Sequence, residues 1–370
     1  MRVASVSIAR TPVAPSIESF EHFWAGIGQN TGNLMFTEAM FRLLDGGVQK
    51  IGFKFDPNFV NANFDVVVIP AANWLNKSAE WGWLIKQLEQ VKLPIALVGI
   101  GVQAGSLNLE EVEVSASARE LAVYIAGRSP TISVRGDFTK AWLASIGIRN
   151  AVTTGCPSIY MNIFDNTPQT QKSGYAVQGT RYYASKKFSG QNVLEAHLFK
   201  SVTRSNAECI YQSEYEELQM LLAHKALDDF EPSSREALKD LYCVDDERQL
   251  EALIRAKGKA YYDLHRWSDY IRSKYGVVGT RLHGTVLALN SGVPALLHGH
   301  DSRTQEVIDF AALPSIDSKK LMSLQCEDDF IEALEKAPVE SYLDRRADNQ
   351  KIMMQFFAEF GLKCNQRFMF

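Results

Sequence analysis

Tyr275-Gly-Val-Val-Gly-Thr-Arg-Leu-His-Gly-Thr-Val-Leu-Ala-Leu-Asn-Ser-Gly-Val-Pro-Ala-Leu-Leu-His298 is the stretch that decides the fold of this chain. Its pattern predicts a strand, a tight turn, a helix and a second strand. The paired valines end a short buried strand, and Gly279, which has no Cβ, permits a sharp turn after them. Gly292 is expected to stop the helix, and the next buried strand begins at Ala295.

The helix of this stretch is expected to have Thr280 as its cap and to carry Arg281 and His283 in its first turn. Three apolar residues at helical spacing predict its buried stripe: Leu282, Val286 and Leu289. A strand–helix–strand unit of this kind is a right-handed crossover between parallel strands. Its first loop therefore lies at the carboxyl edge of the sheet, where open α/β sheets bind ligands and free helix N–H groups favour an anion.

The loop after the second strand, at 299–304, leaves the sheet at the same edge. Two successive loops thus bring five ionisable side chains to one rim: Arg281, His283, His300, Asp301 and Arg303. A solvated loop with a capping arginine is the alternative for any single one of them. Convergence of the whole group favours a binding site, because chemistry needs several groups at one place.

Length and composition indicate a two-domain α/β protein. A chain of 370 residues is too long for one ordinary core, and its 46% apolar and 22% charged residues are typical of globular proteins. The net charge of -4 gives no general attraction to nucleic acid. The five scattered cysteines lack a CxxC pair, which indicates a reducing compartment and no structural zinc site. With neither a signal peptide nor an apolar run near the ~18 residues of a membrane span, a cytoplasmic location is predicted.

Strands alternate with helices along the chain, which predicts doubly wound parallel sheets. In the first half, strands are predicted at 2–8, 64–69, 95–98, 131–134 and 151–154, with helices at 34–44, 109–126 and from Asp137, as its cap, to Gly147. In the second half, a strand is predicted to end at Val202-Thr203, another lies at 209–211, and helices follow at 214–227, around 267–275 and at 344–360.

These patterns divide the chain into three parts. Residues 1–165 are predicted to form an N-terminal Rossmann-like domain, and residues 166–343 a C-terminal Rossmann-like domain that carries the Arg-Leu-His site. Residues 344–370 are expected to form a C-terminal helix and tail that could cross back to the first domain. The boundary is placed where Gly, Gln, Ser and Thr become frequent, near residue 166.

Several motifs together resemble the polysaccharide pyruvyltransferase family. The signature of that family is an Arg-Leu-His element that opens a helix, followed by Gly-x-Pro and a strand, as at 281–297 here. Three further segments are similar to family motifs: Ser133-Val-Arg135, Gln29-Asn-Thr-Gly-Asn33 and Gly155-Cys-Pro157. There are departures, since Asn33 stands where an acid is common, Cys156 where aspartate is common, and Pro70-Ala-Ala where a glycine-rich triplet is usual.

The resemblance implies a GT-B-like fold, in which two Rossmann-like domains face each other across a cleft. It also implies transfer of the pyruvyl group of phosphoenolpyruvate onto a sugar of a cell-surface polysaccharide, or of its lipid-linked precursor, with formation of a pyruvate ketal. Phosphoenolpyruvate is then the donor substrate, and no cofactor is needed.

The donor carries a carboxylate and a phosphate, and the planar fork of arginine binds both. The residues predicted to bind it are Arg135, Arg281, Leu282, Thr280, Arg303 and His300. His283, with Arg281, is predicted to be catalytic as the general acid and base, and the positive helix end should lower its pKa. The acceptor side of the cleft is expected to contain Gly28, Asn30, Asn33 and Gly101. Arginines can neutralise the phosphate, so no metal is expected, although Asp301 and Glu306 could recruit one.

Alternatives remain at this stage. A GT-B glycosyltransferase with a nucleotide-sugar donor has the same fold, but it usually needs an acid for the ribose, and no clear candidate follows the Arg-Leu-His block. A catalytically silent subunit of an export complex is the non-enzymatic alternative. A lipid-linked acceptor would bring the protein to the inner face of the cell membrane, and the apolar and basic tail 362–370 is compatible with that, with a flexible end or with a homo-oligomer contact.

Overall fold

Among the described residues, the strands of each half of the chain form a parallel β-sheet. The computed structural model describes residues 1–10, 12–162, 171–179 and 193–365. The first sheet has the order β2-β1-β3-β4, and Ile100, just after β4, continues it to the pair β5-β6 by a parallel bridge with Val134. Its strands are β1 (Val3–Ser5), β2 (Val48–Lys50), β3 (Val66–Pro70), β4 (Ile95–Val98), β5 (Ile132–Val134) and β6 (Ala151–Thr153).

The second sheet has the order β11-β10-β7-β8-β9, and all its pairs are parallel. Its strands are β7 (Ala176–Gln178), β8 (Glu208–Tyr211), β9 (Gly258–Ala260), β10 (Val277–Gly279) and β11 (Ala295–Leu297). Counted within this half, the order is that of a Rossmann sheet, and the direction of winding reverses between β7 and β10. In the first sheet it reverses between β1 and β3. Ligands bind at such points in open α/β sheets.

Helices follow the strands in both halves. In the first they are α1 (Phe20–Gly26), α2 (Asn33–Leu43), α3 (Pro57–Asn63), α4 (Gly82–Leu88), α5 (Ala116–Ala126) and α6 (Asp137–Ser145). In the second they are α7 (Val193–Arg204), α8 (Tyr215–Leu222), α9 (Pro232–Tyr242), α10 (Glu247–Lys257), α11 (Leu264–Arg272), α12 (Leu282–Asn290), α13 (Ser302–Ala311), α14 (Ser318–Ser323), α15 (Glu327–Glu335) and α16 (Val339–Glu359).

The two sheets share one apolar core. Along β3, Val66 and Val68 belong to a cluster that continues through α2 into β10 and α12, whereas Val67 and Ile69 face a second cluster on the opposite side of the first sheet. This alternation follows from the two-residue period of a strand. Helix α2 packs against α12 and against the turn Pro157–Tyr160. The predicted fold, two Rossmann-like units facing across a cleft, is confirmed.

The segment predicted to contain a strand ending at Val202-Thr203 is instead the helix α7. Apolar residues with helical spacing decide this, because Leu198, Phe199 and Val202 all enter the core from one helix. The predicted helix at 109–126 is also wrong at its start. It is a single turn, Leu109–Glu111, followed by α5, whose cap is Ser115: its side chain accepts a hydrogen bond from the backbone N–H of Ala118.

Two helix caps were also predicted wrongly. Helix α12 begins at Leu282 with Arg281 as N-cap and without a side-chain cap, so Thr280 does not cap it. Helix α6 has Gly136 as its N-cap, and Asp137 is its first residue, which accepts a hydrogen bond from Thr153 Oγ1 (2.6 Å).

Helix α12 is buried at every position from Leu282 to Asn290. The single buried stripe predicted for it therefore describes only part of its surface. The remaining faces are covered by α2, α11 and the turn Pro157–Tyr160. A helix that is enclosed in this way holds its first turn firmly in place at the junction of the two sheets.

The C-terminal segment contacts both halves of the chain. Near its start, α16 places the Tyr342 hydroxyl 2.7 Å from Asn290 Oδ1, and at its end Glu359 accepts a hydrogen bond from Thr131 Oγ1 (2.6 Å). Beyond it, Leu44 and Cys364 form an antiparallel bridge. The domain limits stay predictions, and the boundary at 165/166 lies outside the described residues, as do residues 366–370 of the tail. Within the described part of the chain, none of the helices combines the length and the apolar character needed to cross a bilayer.

Candidate functional site

A cavity of about 200 Å³ lies where the carboxyl edges of the two sheets meet. The first half lines it with Gly28, Asn30, Asn33, Ala72, Asn73 and Arg135. The second half lines it with Gln212, Thr280, Arg281, Leu282, His283, His300, Arg303 and Thr304. The loops after β1 and β3 and the loop after β10 all contribute, so the cavity lies at the point where each sheet reverses its winding.

The loop after β10 is held tightly against β7. A Cβ added at Gly279 would overlap the Gln178 carbonyl, which also accepts a hydrogen bond from the Thr280 N–H (2.9 Å). The Gln178 side chain donates to the Arg281 carbonyl (3.2 Å) and to Thr285 Oγ1 (3.0 Å). Glycine at 279 is therefore needed for this close approach, and the approach fixes where Arg281 and His283 enter the cavity.

The Arg281 guanidinium is held by three groups of the second half. Its Nε donates to the Gly179 carbonyl (2.9 Å), and its Nη2 donates to Ser213 Oγ and to the Glu214 carboxylate. The side chains of Arg281 and Glu214 are 10% and 1% exposed, so this is a buried ion pair. Arg281 is thus fixed in orientation while it faces the cavity.

Glu214 was not predicted as a site residue, because the sequence places it at the start of a helix. In the structure it is the N-cap residue of α8, and its Oε2 accepts hydrogen bonds from the backbone N–H groups of Gln212 (2.8 Å) and Ser213 (3.1 Å). The feature that could have identified Glu214 from sequence is its position shortly after β8, which places it at the same sheet edge as Arg281. Gln212, Ala72, Asn73 and Thr304 are the cavity residues that sequence reasoning also missed.

His283 is buried, with 8% of its surface exposed, in the first turn of α12. Its Nε2 lies 3.6 Å from Cys156 Sγ, and its ring centroid lies 5.4 Å from that of Phe36. Burial first, and then the positive charges of Arg135, Arg303 and Arg281, hold the pKa of His283 well below its usual range. The direction of this shift is the predicted one, and burial is its largest cause, followed by the arginine charges.

Arg135 reaches the cavity from the first half, at the end of β5. It is 3% exposed, its Nε donates to the Gly99 carbonyl (3.1 Å), and its Nη2 lies 3.9 Å from Cys156 Sγ. The two halves of the chain therefore place arginines on opposite walls of one cavity, as the sequence predicts for Arg135 and Arg281.

His300 lines the cavity from the loop before α13, and Arg303 lines it from the first turn of that helix. Asp301 caps that helix through Thr304 and also accepts hydrogen bonds from Arg303, one of them from Nε at 2.8 Å. His300 Nε2 lies 3.8 Å from the same carboxylate. Burial lowers the pKa of His300, partly offset by the charge of Asp301.

Helix α13 also joins the two halves of the chain. The Ser302 side chain accepts a hydrogen bond from the Ala104 N–H (2.9 Å) and donates to the Val102 carbonyl (2.9 Å). Glu306 accepts from the N–H (3.0 Å) and the hydroxyl (2.9 Å) of Thr139, in the first turn of α6. Burial raises the pKa of Glu306 to about 7 in spite of these donors.

Gly101 was predicted to line the cleft and does not line the cavity. A Cβ added there would lie 3.0 Å from Arg135 Cδ and 3.2 Å from Glu306 Oε1. The residue lies one layer behind the cavity because the chain turns away directly after β4 to pair with β5. Its small size makes room for Arg135.

Gly28, Asn30 and Asn33 line the wall of the first half, as predicted. Asn33 Nδ2 donates to the carbonyls of Ile27 and Gly28 (both 3.1 Å), and Asn30 Oδ1 accepts from the Gly32 N–H (2.8 Å). Asn33 therefore stabilises the shape of this loop. The amide of Asn30 remains at the cavity surface as a polar group.

Within the described residues, no cluster of three or more His, Cys, Asp or Glu side chains is arranged to hold a metal ion. The two acids considered for that role have other partners, since Asp301 binds Arg303 and Glu306 binds Thr139. All five cysteines are free thiols.

Solved structures with a similar arrangement have low sequence identity to this chain. The UDP-N-acetylglucosamine 2-epimerase of Rickettsia bellii is 12% identical, over 98% of this chain and 97% of that chain, with a TM-score of 0.44. The UDP-GlcNAc 2-epimerase of Methanocaldococcus jannaschii is 12% identical, over 91% and 92%, with a TM-score of 0.43. An uncharacterized protein of Klebsiella pneumoniae is 9% identical, over 76% and 85%, with a TM-score of 0.42. Scores of this size carry no argument about function, and the fold follows from the strand orders of this chain itself.

Comparison with curated proteins gives no match. Comparison with family models matches residues 12–302 to the family described as polysaccharide pyruvyl transferase. The matched range includes the loops that place Asn30, Arg135, Arg281 and His283 around the cavity. With most of its length covered, the chain belongs to the polysaccharide pyruvyl transferase family.

Proposed function

We propose that this protein transfers the pyruvyl group of phosphoenolpyruvate to a saccharide and forms a pyruvate ketal. One observation carries the proposal: Arg135, Arg281 and Arg303 line a single cavity around a histidine that burial keeps neutral. The donor has two anionic groups on a three-carbon frame, and arginine binds both carboxylate and phosphate in a bidentate manner. A saccharide acceptor follows from the family.

The reaction requires one proton to be moved onto carbon. The methylene carbon of the donor gains a proton from the imidazolium form of His283, which leaves a cationic centre at the carbon that bears the phosphate. A hydroxyl of the sugar attacks this centre, phosphate leaves, and a second hydroxyl closes the ketal. Of the two hydroxyl protons, one replaces that given by His283 and the other leaves with phosphate, so atoms and charge balance.

Enclosure of the site supports this chemistry. Arg135, Thr280, Arg281 and His283 are nearly buried, so water is largely excluded from the side of the cavity where the donor's charges would lie. Electrostatic interactions are stronger in such an environment than in bulk water. The wall of Gly28, Asn30 and Asn33 faces the cavity with amide and backbone groups, which are suited to sugar hydroxyls.

The first test does not depend on the unknown acceptor. Thermal unfolding of the wild type should be followed with phosphoenolpyruvate and, separately, with UDP-glucose and UDP-N-acetylglucosamine. A ligand that binds the native state raises Tm in proportion to its occupancy. We expect phosphoenolpyruvate to raise Tm, and we expect the shift to disappear in Arg281→Ala and in Arg135→Ala.

Arg149→Ala is the matched control, because Arg149 is exposed and does not line the cavity. It should keep the full shift. A rise in Tm with a nucleotide sugar and none with phosphoenolpyruvate would replace the proposal by a glycosyltransferase, which uses the same fold with another donor.

A further inference from the structure

His283 is surrounded by cations and neutral groups. Arg135 approaches from the end of β5, Arg303 from α13 and Arg281 from the residue two before it, and all three act on it electrostatically. The ring packs on Phe36 of α2, and the polar side chain at its Nε2 is the thiol of Cys156.

The carboxylates of the site are bonded to other groups. Glu214 is paired with Arg281, and Asp301 is paired with Arg303. Glu306 lies beside Arg135 and is held by Thr139. In the protein without ligand, His283 is therefore neutral, and a neutral imidazole cannot give a proton to the methylene carbon of the donor.

The donor supplies the negative charge that His283 lacks in the ligand-free site. Its phosphate and carboxylate would lie among the same three arginines whose charges oppose protonation of His283. An opposite charge a few ångströms away favours the protonated form of a histidine, and it acts most strongly in a buried site. Donor binding thus offsets the positive charges that oppose protonation of the imidazole.

We propose that the anionic donor, by binding among Arg135, Arg281 and Arg303, causes His283 to take up a proton from solvent, so that the substrate creates the acid that acts on it. This inference rests on the proposed function. The proton passes from water to the imidazole and then to the methylene carbon of the donor. The imidazole next accepts a proton from a sugar hydroxyl and returns it to water when phosphate leaves, so the net reaction is unchanged. Without the donor, the site therefore contains no protonated histidine.

Cys156 is the positioning residue that makes this dependence on the donor possible. It is fully buried, 3.6 Å from His283 Nε2 and 3.1 Å from Ser158 Oγ. An aspartate at this position would place a carboxylate next to the imidazole and favour its protonated form before the donor binds. A thiol accepts or donates a hydrogen bond without adding that charge.

The test is the number of protons taken up when phosphoenolpyruvate binds. Binding should be measured by calorimetry at pH 7 in two buffers with different ionisation enthalpies, for the wild type and for His283→Gln. We expect uptake in the wild type to exceed that in the variant by up to about one proton per donor. The difference is used because Glu306, whose pKa is raised to about 7, and the phosphate itself also titrate near this pH.

Variants at position 156 test the role of the thiol. Cys156→Ser keeps a small neutral partner and should keep the uptake of the wild type, which also excludes an ionised thiol as the source of the effect. Cys156→Asp should lose most of the uptake, because its histidine is protonated before the donor arrives.

If His283→Gln does not bind the donor, nitrogen-15 NMR of histidine-labelled wild type replaces it. The variant identifies the His283 signals, and added phosphoenolpyruvate should move them from neutral to imidazolium values. Donor binding that leaves His283 neutral, or equal uptake in wild type and variant, overturns the inference and leaves the donor assignment intact. An absence of any binding of phosphoenolpyruvate overturns both.

Discussion

Arg281 is fixed in the cavity by the buried carboxylate of Glu214. The pair is largely removed from water, and Glu214 is in turn held by the backbone N–H groups at the end of β8. Such an arrangement costs desolvation energy, and its main effect is to hold a cation in one orientation. The orientation of Arg281 therefore depends on a residue that need not touch the ligand.

Glu214→Gln should lower the free energy of unfolding by about 3–5 kcal/mol, because it leaves the buried guanidinium without a counter-charge. Denaturant unfolding measures this. The matched control is Glu332→Gln, which breaks the exposed pair of Glu332 with Lys336 and should leave stability nearly unchanged. Equal changes in the two variants would contradict the role given to the buried pair.

His283 should also make stability depend on pH. Its pKa in the folded protein lies well below that in the unfolded chain, which is near 6.5, so below that pH the unfolded state binds the additional proton. The free energy of unfolding should therefore fall as pH is lowered from about 7 to 5, by up to about 1.4 kcal/mol per pH unit from this group.

Denaturant midpoints across this pH range measure that dependence. In His283→Gln this part of the slope should be absent, since glutamine does not titrate. His22→Gln is the control, because His22 is exposed, and it should retain the slope of the wild type. A slope that is the same in all three proteins would show that His283 does not titrate differently on folding.

At the scale of elements, α12 and α13 position the main side chains of the site. The first is enclosed on all sides and fixes Arg281 and His283, and the second carries Arg303 and joins the two halves through Ser302 and Glu306. A periodic apolar pattern predicted the position of α12, because Leu282, Val286 and Leu289 recur with helical spacing, although the whole helix is buried. The segment of α7 was instead predicted to contain a strand ending at Val202-Thr203, although its buried apolar residues have helical spacing.

Gly136→Ala tests the contact between α6 and α13. An added Cβ would lie 2.8 Å from Glu306 Cγ, so α13 would have to move, at a cost of about 1–3 kcal/mol for overpacking. Because Arg303 and Thr304 lie on the same helix, the rise in Tm with phosphoenolpyruvate should shrink as well. Thermal unfolding with and without this donor measures both effects.

Gly105→Ala is the control for this variant. Gly105 belongs to the loop after β4, and a Cβ added there meets no atom within 4 Å. Its stability should stay the same or rise slightly, as is usual when glycine is replaced without strain. Equal stability of both variants would mean that the Glu306 side chain can move aside at little cost. The contact between Gly136 and Glu306 would then not fix the position of α13.

At the scale of the whole molecule, the two sheets are joined by a continuous core as well as by the cleft. The cluster on one face of β3 continues through α2 into α12, and the C-terminal segment spans both halves. The cavity is thus formed between surfaces that are already fixed against each other. This geometry brings the loops after β1, β3, β5 and β10 to one place, although they are far apart along the chain.

The sequence alone determined the local part of this result. Alternating strands and helices defined parallel sheets, and parallel sheets put the loops of Arg135, Arg281 and Arg303 at carboxyl edges, because every such strand points the same way. It also determined that His283 follows Arg281 by two residues at the start of a helix. These properties depend on spacing, which is visible in the chain.

Only the tertiary structure decided which groups meet across those edges. The pairing of Arg281 with Glu214, the contact of Cys156 with His283 and the insertion of Glu306 against α6 join residues 67, 127 and 167 positions apart. No local pattern encodes such distances, since they follow from how two sheets pack through a common core. Burial, which sets the charge state of His283, is likewise a property of the packed molecule and not of the residue.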